Sequence, residues 1–215
     1  RANIGTVVHE MIQHMIFGNE VVMEVNWWDP IKQEPVLITR EMMKYLMSFQ
    51  KFWNDYGVTL EDILACEIGM LDLTPRKKGV EPITSKDYKY PWGGSADLVT
   101  YLNNSKTGKK QLWLIDFKTG KEYADQHQLQ LISYAILFNA TSTKKIKRIG
   151  SLYLKSGWRK APTYKLKEYD FKPILWRKAF DFWKFWAKVN KHDTPKFPME
   201  LPEAISLYGG NDGGE

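Results

Sequence analysis

The chain has 215 residues, 43% hydrophobic and 14% aromatic, which is enough to bury one good core, and its length sets a soft expectation of a single domain. Lys and Arg number 31 against 25 Asp and Glu; the net charge of +6 favours a polyanionic partner, although a solvated lysine face gives the same balance. The one cysteine, Cys66, excludes an intrachain disulfide and fits a reducing, intracellular compartment, and no apolar run approaches the ~20 residues of a membrane span.

The first predicted element is a helix from about Ala2 to Phe17. Gly5, His9 and Gln13 form a small and polar line along it, beside Val8, Met11, Ile12 and Met15 on the apolar side. A histidine on a helix is, by itself, most simply structural or at the surface. A loop-rich stretch with Trp27, Trp28, Asp29 and Pro30 leads to a second helix, Thr39 to Tyr56, with Thr39 as cap and Gly57 as stop. Residues 63–71 read as a strand carrying Glu67. A long connection follows with Arg76, Lys77 and Lys78 at its tip; a solvated loop is the default there, and a grip on phosphate is the functional alternative.

The segments SADLVTYL (95–102) and QLWLIDFK (111–118) both suit strands, and NNSKTGKK between them supplies turn chemistry, so the pair is predicted to be a hairpin. If the strands are symmetric about the turn, with Leu102 facing Gln111, Asp97 faces Asp116. Opposed residues have Cβ atoms about 4.5–5.5 Å apart, where two carboxylates repel unless a cation lies between them. Strand alternation puts Lys118 on the face of Asp116 and sends Trp113, Ile115 and Phe117 to the other, so that one face is expected to be core and the other chemistry. A hard divalent ion held by such oxygens keeps several waters, and the ammonium beside it is suited to hold one.

The next helix, Asp125 to Asn139, carries Gln126, Gln130 and Tyr134 as one polar stripe that should face the carboxylates. A basic loop and a strand, Ile149 to Lys155, come next, and a hairpin followed by helix and strand calls for a mixed sheet flanked by helices. The last helix, Pro173 to Lys191, interleaves aromatic and basic residues. Trp176, Phe180, Trp183 and Ala187 follow core spacing, which leaves Phe182 and Trp186 for contact with bases. Residues 1–208 are thus expected to form one domain and the glycine-rich residues 209–215 a disordered tail.

The ordered set Gly94-Ser95-Ala96-Asp97, Ile115-Asp116-Phe117-Lys118-Thr119-Gly120 and Gln130-Leu-Ile-Ser-Tyr134 resembles the PD-(D/E)XK nucleases. Within them it is most similar to the RecB-like branch, with the RecB nuclease domain, CRISPR adaptation nucleases and the mitochondrial genome maintenance exonuclease. Ala96 stands where the family name has proline. The resemblance covers roughly residues 1–155 and leaves the remainder unmatched. It implies a restriction-endonuclease-like α/β fold and a Gly-x-x-x-His setting that makes His9 a metal ligand. Glu67 is implied as a further acid, acting through water or merely capping an edge.

The mechanism implied has Asp97 and Asp116 holding one or two Mg²⁺ or Mn²⁺ ions, helped by His9 and the backbone carbonyl of Phe117, while Lys118 positions the attacking water. Gln130 would orient Lys118 or the scissile phosphate, and Tyr134 would contact the nucleic-acid backbone. An iron–sulfur cluster held by four cysteines, as in many CRISPR adaptation nucleases, is excluded within a segment with one cysteine. The expected activity is a DNA exonuclease working on a free or single-stranded end in recombination, repair or replication, with no membrane contact. A selective endonuclease and a non-catalytic DNA-binding scaffold are the alternatives. Because the first residue is Arg1, a leader, an organellar destination and a fused or partner helicase or recombination protein stay open.

Overall fold

A computed structural model describes residues 2–29, 31–71, 92–103, 108–155 and 161–189. Arg76, Lys77, Lys78 and the 209–215 tail lie outside the described residues. Helix α1 (Ala2–Ile16) turns Val7, Val8, Met11, Ile12 and Ile16 inward, none of them more than 3% exposed. Removing side chains of this kind from water contributes about 1.5–3 kcal/mol each. Helix α2 (Arg40–Tyr56) starts and stops where its sequence dictates: the Thr39 hydroxyl accepts the Met42 N–H at 3.3 Å, and Gly57 ends it in the left-handed conformation at φ 58°.

Between these helices the chain forms a small hairpin, β1 (Asn26–Asp29) with β2 (Glu34–Leu37), where the sequence suggested only a loop-rich stretch. The missed determinant is Asp29. Its Oδ1 accepts the N–H groups of Ile31 and Lys32 at 2.9 and 3.1 Å, a side-chain turn that reverses the strand.

A five-stranded mixed sheet carries the rest: β3 (Ile63–Leu71), β4 (Gly93–Asn103), β5 (Lys110–Lys118), β6 (Arg148–Lys155) and β7 (Thr163–Tyr169), in that spatial order. Only β5 and β6 are parallel, and helix α3 (Ala124–Thr141) makes the crossover between them. The chain therefore has a restriction-endonuclease-like α/β fold. In the β4–β5 hairpin the pairs run from Asn103 with Lys110 to Leu98 with Ile115, the register that a symmetric turn predicts. Edge strand β7 lies past the segment that carries the resemblance. Its sequence signal is alternation, with Tyr164 and Leu166 packing on one side and Lys165 and Lys167 between them.

Both faces of the sheet are covered, which corrects the division into a core face and a chemical face. Trp113, Ile115 and Phe117 join the core beneath α1 and α2, whereas Leu112 and Leu114 pack against Leu131, Ile132, Ala135 and Phe138 of α3. Along β5 the polar groups come at its end, where Asp116 and Lys118 follow Leu112 and Leu114 on the α3 side.

The chain divides into two compact units, residues 1–72 with 92–179, and 73–91 with 180–215. Among the described residues, the first contains every strand and helices α1 to α3. It also contains the start of helix α4 (Pro173–Val189), where Trp176 packs on the α3 core with its ring 5.0 Å from that of Trp92. The second is described only over 180–189, where the rings of Phe180 and Trp183 stack at 5.8 Å. Ala187 is buried there as its spacing predicts, whereas Trp183, stacked on Phe180, is exposed. Phe182 and Trp186 are exposed. Among the described residues no helix is long and apolar enough to cross a membrane.

Candidate active site

Three elements bring acidic and imidazole groups together. Potential ligand atoms of His9 on α1, Glu67 on β3 and Asp97 on β4 all lie within 4.8 Å of one another. His9 Nδ1 is 3.5 Å from Asp97 Oδ1, and its ring meets Phe117 edge-on at 5.6 Å. The other Asp97 oxygen accepts the N–H of Phe117. This bond explains where the β4–β5 ladder ends. Pairing stops at Leu98 with Ile115, and a donor on β5 goes to a side-chain carboxylate in place of the β4 main chain.

Glu67 reaches the cluster through an unusual backbone. It stands in the middle of β3 at φ +50°, and the β3–β4 pairs run through Cys66 with Leu98 and resume at Ile68 with Ala96, skipping Glu67 and Asp97. A left-handed conformation at a residue with a Cβ costs about 1–3 kcal/mol and persists where the surroundings over-determine it. The pairs on either side keep one register, so Glu67 stands opposite Asp97 across the two strands. Nothing in the sequence ILACEIGM signals the left-handed backbone.

Asp116 is buried, and its Oδ2 is 2.6 Å from Lys118 Nζ. That oxygen otherwise has no hydrogen-bond partner. Lys118 in turn donates a long hydrogen bond, 3.4 Å, to Gln130 Oε1, and Gln130 Nε2 donates to the Tyr134 hydroxyl at 2.9 Å. The α3 stripe therefore contributes two of its three members, since Gln126 is exposed. Tyr134 fits only because residue 94 is glycine: a Cβ there would meet the tyrosine ring at 2.0 Å.

The turn after Lys118 is fixed from two sides. Tyr45 on α2 donates to the Thr119 carbonyl at 3.2 Å, and a Cβ on Gly5 of α1 would stand 3.2 Å from Thr119 Oγ1. A cleft of about 480 Å³ opens between α1 and this turn, with His9, Glu10, Gln13, Glu67, Phe117 and Lys118 in its walls. Phe117 therefore lies at the cleft, and the interaction of its main chain with the acidic cluster is through its N–H.

The electrostatics are those of a site short of positive charge. Burial and the neighbouring Asp97 push Glu67 up to about 7, and the same two causes push Asp116 up to about 6. Burial works to lower the pKa of His9, but the bond to Asp97 and the surrounding carboxylates outweigh it and raise the imidazole above its ordinary value. Carboxylates that hold protons against one another, with an imidazole nitrogen in the same cluster, form a donor set of oxygen and nitrogen that fits a divalent cation. Asp116 stands beside this set, tied to Lys118.

Sequence reasoning missed Glu10, whose Oε2 accepts the Trp27 indole N–H at 3.4 Å at the cleft wall, and His127, whose Nδ1 is 2.6 Å from the Tyr153 hydroxyl. Both depend on partners distant in sequence.

Comparison with known proteins gives one family match. The family model described as the PD-(D/E)XK nuclease superfamily matches residues 1–191, beyond the segment that carries the motifs and through β7 and the whole of α4. No curated protein matches the chain.

Proposed function

Since this chain belongs to the PD-(D/E)XK nuclease superfamily, we propose that it is a Mg²⁺- or Mn²⁺-dependent deoxyribonuclease that hydrolyses phosphodiester bonds at DNA ends, in recombination, repair or replication. The observation that carries this is the convergence of His9, Glu67 and Asp97 within 4.8 Å, beside the Asp116–Lys118 pair. A helix histidine and a strand glutamate added to the two aspartates form the ligand pattern through which the sequence resembles the RecB-like exonucleases, and that resemblance supports ends over internal sites.

His9, Glu67 and Asp97 would hold the ion, with Asp116 alongside. A divalent ion bound there lowers the pKa of water and offsets the charge that develops on the phosphate. Lys118 presents an ammonium to the nucleophilic water or to the phosphorane oxygens, and Asp116, 2.6 Å away, keeps it aimed. Gln130 steadies Lys118 from α3, and Tyr134 steadies Gln130 while offering its ring and hydroxyl to the DNA backbone.

The experiment is a cleavage assay on end-labelled linear DNA and closed circles with and without Mg²⁺. Loss of linear DNA with circles spared, abolished by Asp116→Ala or Lys118→Ala, is the expected result. Cleavage of circles would make the enzyme an endonuclease. Tight binding without cleavage would make it a scaffold, and unchanged cleavage in both variants would sink the site assignment.

A further inference from the structure

Strand β7 sets a second charged group on the face that holds the catalytic lysine. Lys118, Tyr153 and Lys165 are register partners across β5, β6 and β7, and Asp116, Ser151 and Lys167 form the adjacent row. Neighbouring strands are about 4.8 Å apart, so the β7 backbone runs roughly 10 Å from that of β5. Tyr164 and Leu166, which alternate with the two lysines, face the core under α1 and α2.

The ammonium groups reach back over β6 toward the loop after β5 and meet on one carboxylate there. Lys165 bonds Glu122 Oε2 at 2.8 Å, and Lys167 bonds Oε1. His127 shows that this cluster and Lys118 share one neighbourhood: burial depresses its pKa first, Lys118 and Lys167 add to the depression, and Glu122 opposes it. Two lysines share one glutamate beside the catalytic strand, with Asp125 also acting on Lys167. Exposed ion pairs add little to fold stability, so the fold has small need of the arrangement.

We propose that Lys165 and Lys167 bind a backbone phosphate of the single strand flanking the scissile bond, and that Glu122 occupies their ammonium groups until this phosphate displaces it. An ammonium is a compact point charge that takes a phosphate oxygen as readily as a carboxylate oxygen. Glu122 thus sets a threshold that an incoming strand must overcome, and the two lysines fix the line along which the strand leaves the metal centre. The proposal rests on the nuclease reading of that centre.

The test is fluorescence anisotropy with a short labelled single-stranded oligonucleotide, in Ca²⁺ and across a salt series, on the intact protein. For the double variant Lys165→Ala/Lys167→Ala, the slope of log K against log salt should fall by about 0.7, the value for the one phosphate that the pair neutralises. Glu122→Gln should bind about two- to fivefold tighter at low salt. Lys32→Ala/Lys51→Ala, which removes two lysines of surface ion pairs in the β1–β2 turn and on α2, should keep the wild-type slope. An unchanged slope in the β7 double variant overturns the proposal. So does an equal fall in the control, or unchanged or weaker binding by Glu122→Gln. Mg²⁺-dependent cleavage by the wild type separates the two readings: no cleavage with the slope reduced in the β7 variant sinks only the nuclease reading, and cleavage with the slope intact sinks only this one.

Discussion

Gly94 on β4 and Tyr134 on α3 meet at the glycine Cα: a methyl group there would stand 2.0 Å from Cε1 of the ring and 2.8 and 2.9 Å from two further ring atoms. A strand glycine so placed usually marks the close approach of another group, and here that group ends the chain from Lys118 through Gln130 to Tyr134. Gly94→Ala should displace the ring and lower the cleavage rate about tenfold or more. In a Tyr134→Ala background the same substitution should cost little, because the clash is gone. A double-mutant cycle on cleavage rate and urea midpoint checks this. Additive effects would show that the contact does not position Tyr134.

The β4–β5 hairpin was legible because everything that defines it is local. Turn residues, strand alternation and symmetric register are all written within 93–118, and they bring Asp97, Asp116 and Lys118 to one end of the sheet. Thr39 and Gly57 were legible for the same reason. Glu67 was named through the resemblance, but its left-handed backbone was not legible, because it leaves no mark on the composition of β3. Strand β7 is short and polar on one side, and its place at the sheet edge depends on pairing with β6, a nonlocal choice. Covering of both sheet faces escaped notice for a related reason. Leu112 and Leu114 alternate in phase with Asp116 and Lys118, so the change from core to chemistry occurs along one face and is invisible to a period-two pattern.

Backbone strain at Glu67 has a measurable sign. Glycine adopts φ +50° without penalty, whereas alanine keeps the cost of a Cβ. Both substitutions delete the carboxylate, so the difference between Glu67→Gly and Glu67→Ala isolates the backbone. The glycine variant should be more stable, by about 1 kcal/mol in urea unfolding after the entropy it loses on folding is set against the strain relieved. Alanine proving the more stable would mean that residue 67 is not held left-handed in solution. Neither variant should retain wild-type affinity for Mn²⁺.

Lys118 and Gln130 should separate by magnitude. The ammonium is 2.6 Å from Asp116 at the catalytic end of β5, and losing a group that acts on the reacting water costs about 10²–10⁴ in rate. Gln130 touches Lys118 through a bond of 3.4 Å, long enough to steady the ammonium but weak. Lys118→Ala should therefore reduce single-turnover cleavage by about 10²–10⁴, and Gln130→Ala by about tenfold. Equal losses would assign Gln130 a direct contact with the phosphate.

Metal and pH should act on stability in opposite directions. Glu67, raised to about 7, and Asp116, raised to about 6, hold protons in the folded chain at pH values where the unfolded chain has released them. Between roughly pH 4 and 7 the unfolded state thus binds fewer protons, and folding stability of the metal-free protein falls as pH rises through that window. His9 works in the same direction, since its raised pKa means that the proton it keeps on folding is lost as pH climbs past its folded value. A divalent ion replaces these protons and should reverse the trend, because binding releases them and strengthens with pH. Thermal unfolding in EDTA and in excess Mn²⁺ should give melting temperatures that diverge steadily from pH 5 to pH 8. Glu67→Gln should flatten the metal-free curve near pH 6 and shrink the increment that Mn²⁺ provides. An increment that is the same at both ends of the range would mean that the ion binds away from His9, Glu67 and Asp97.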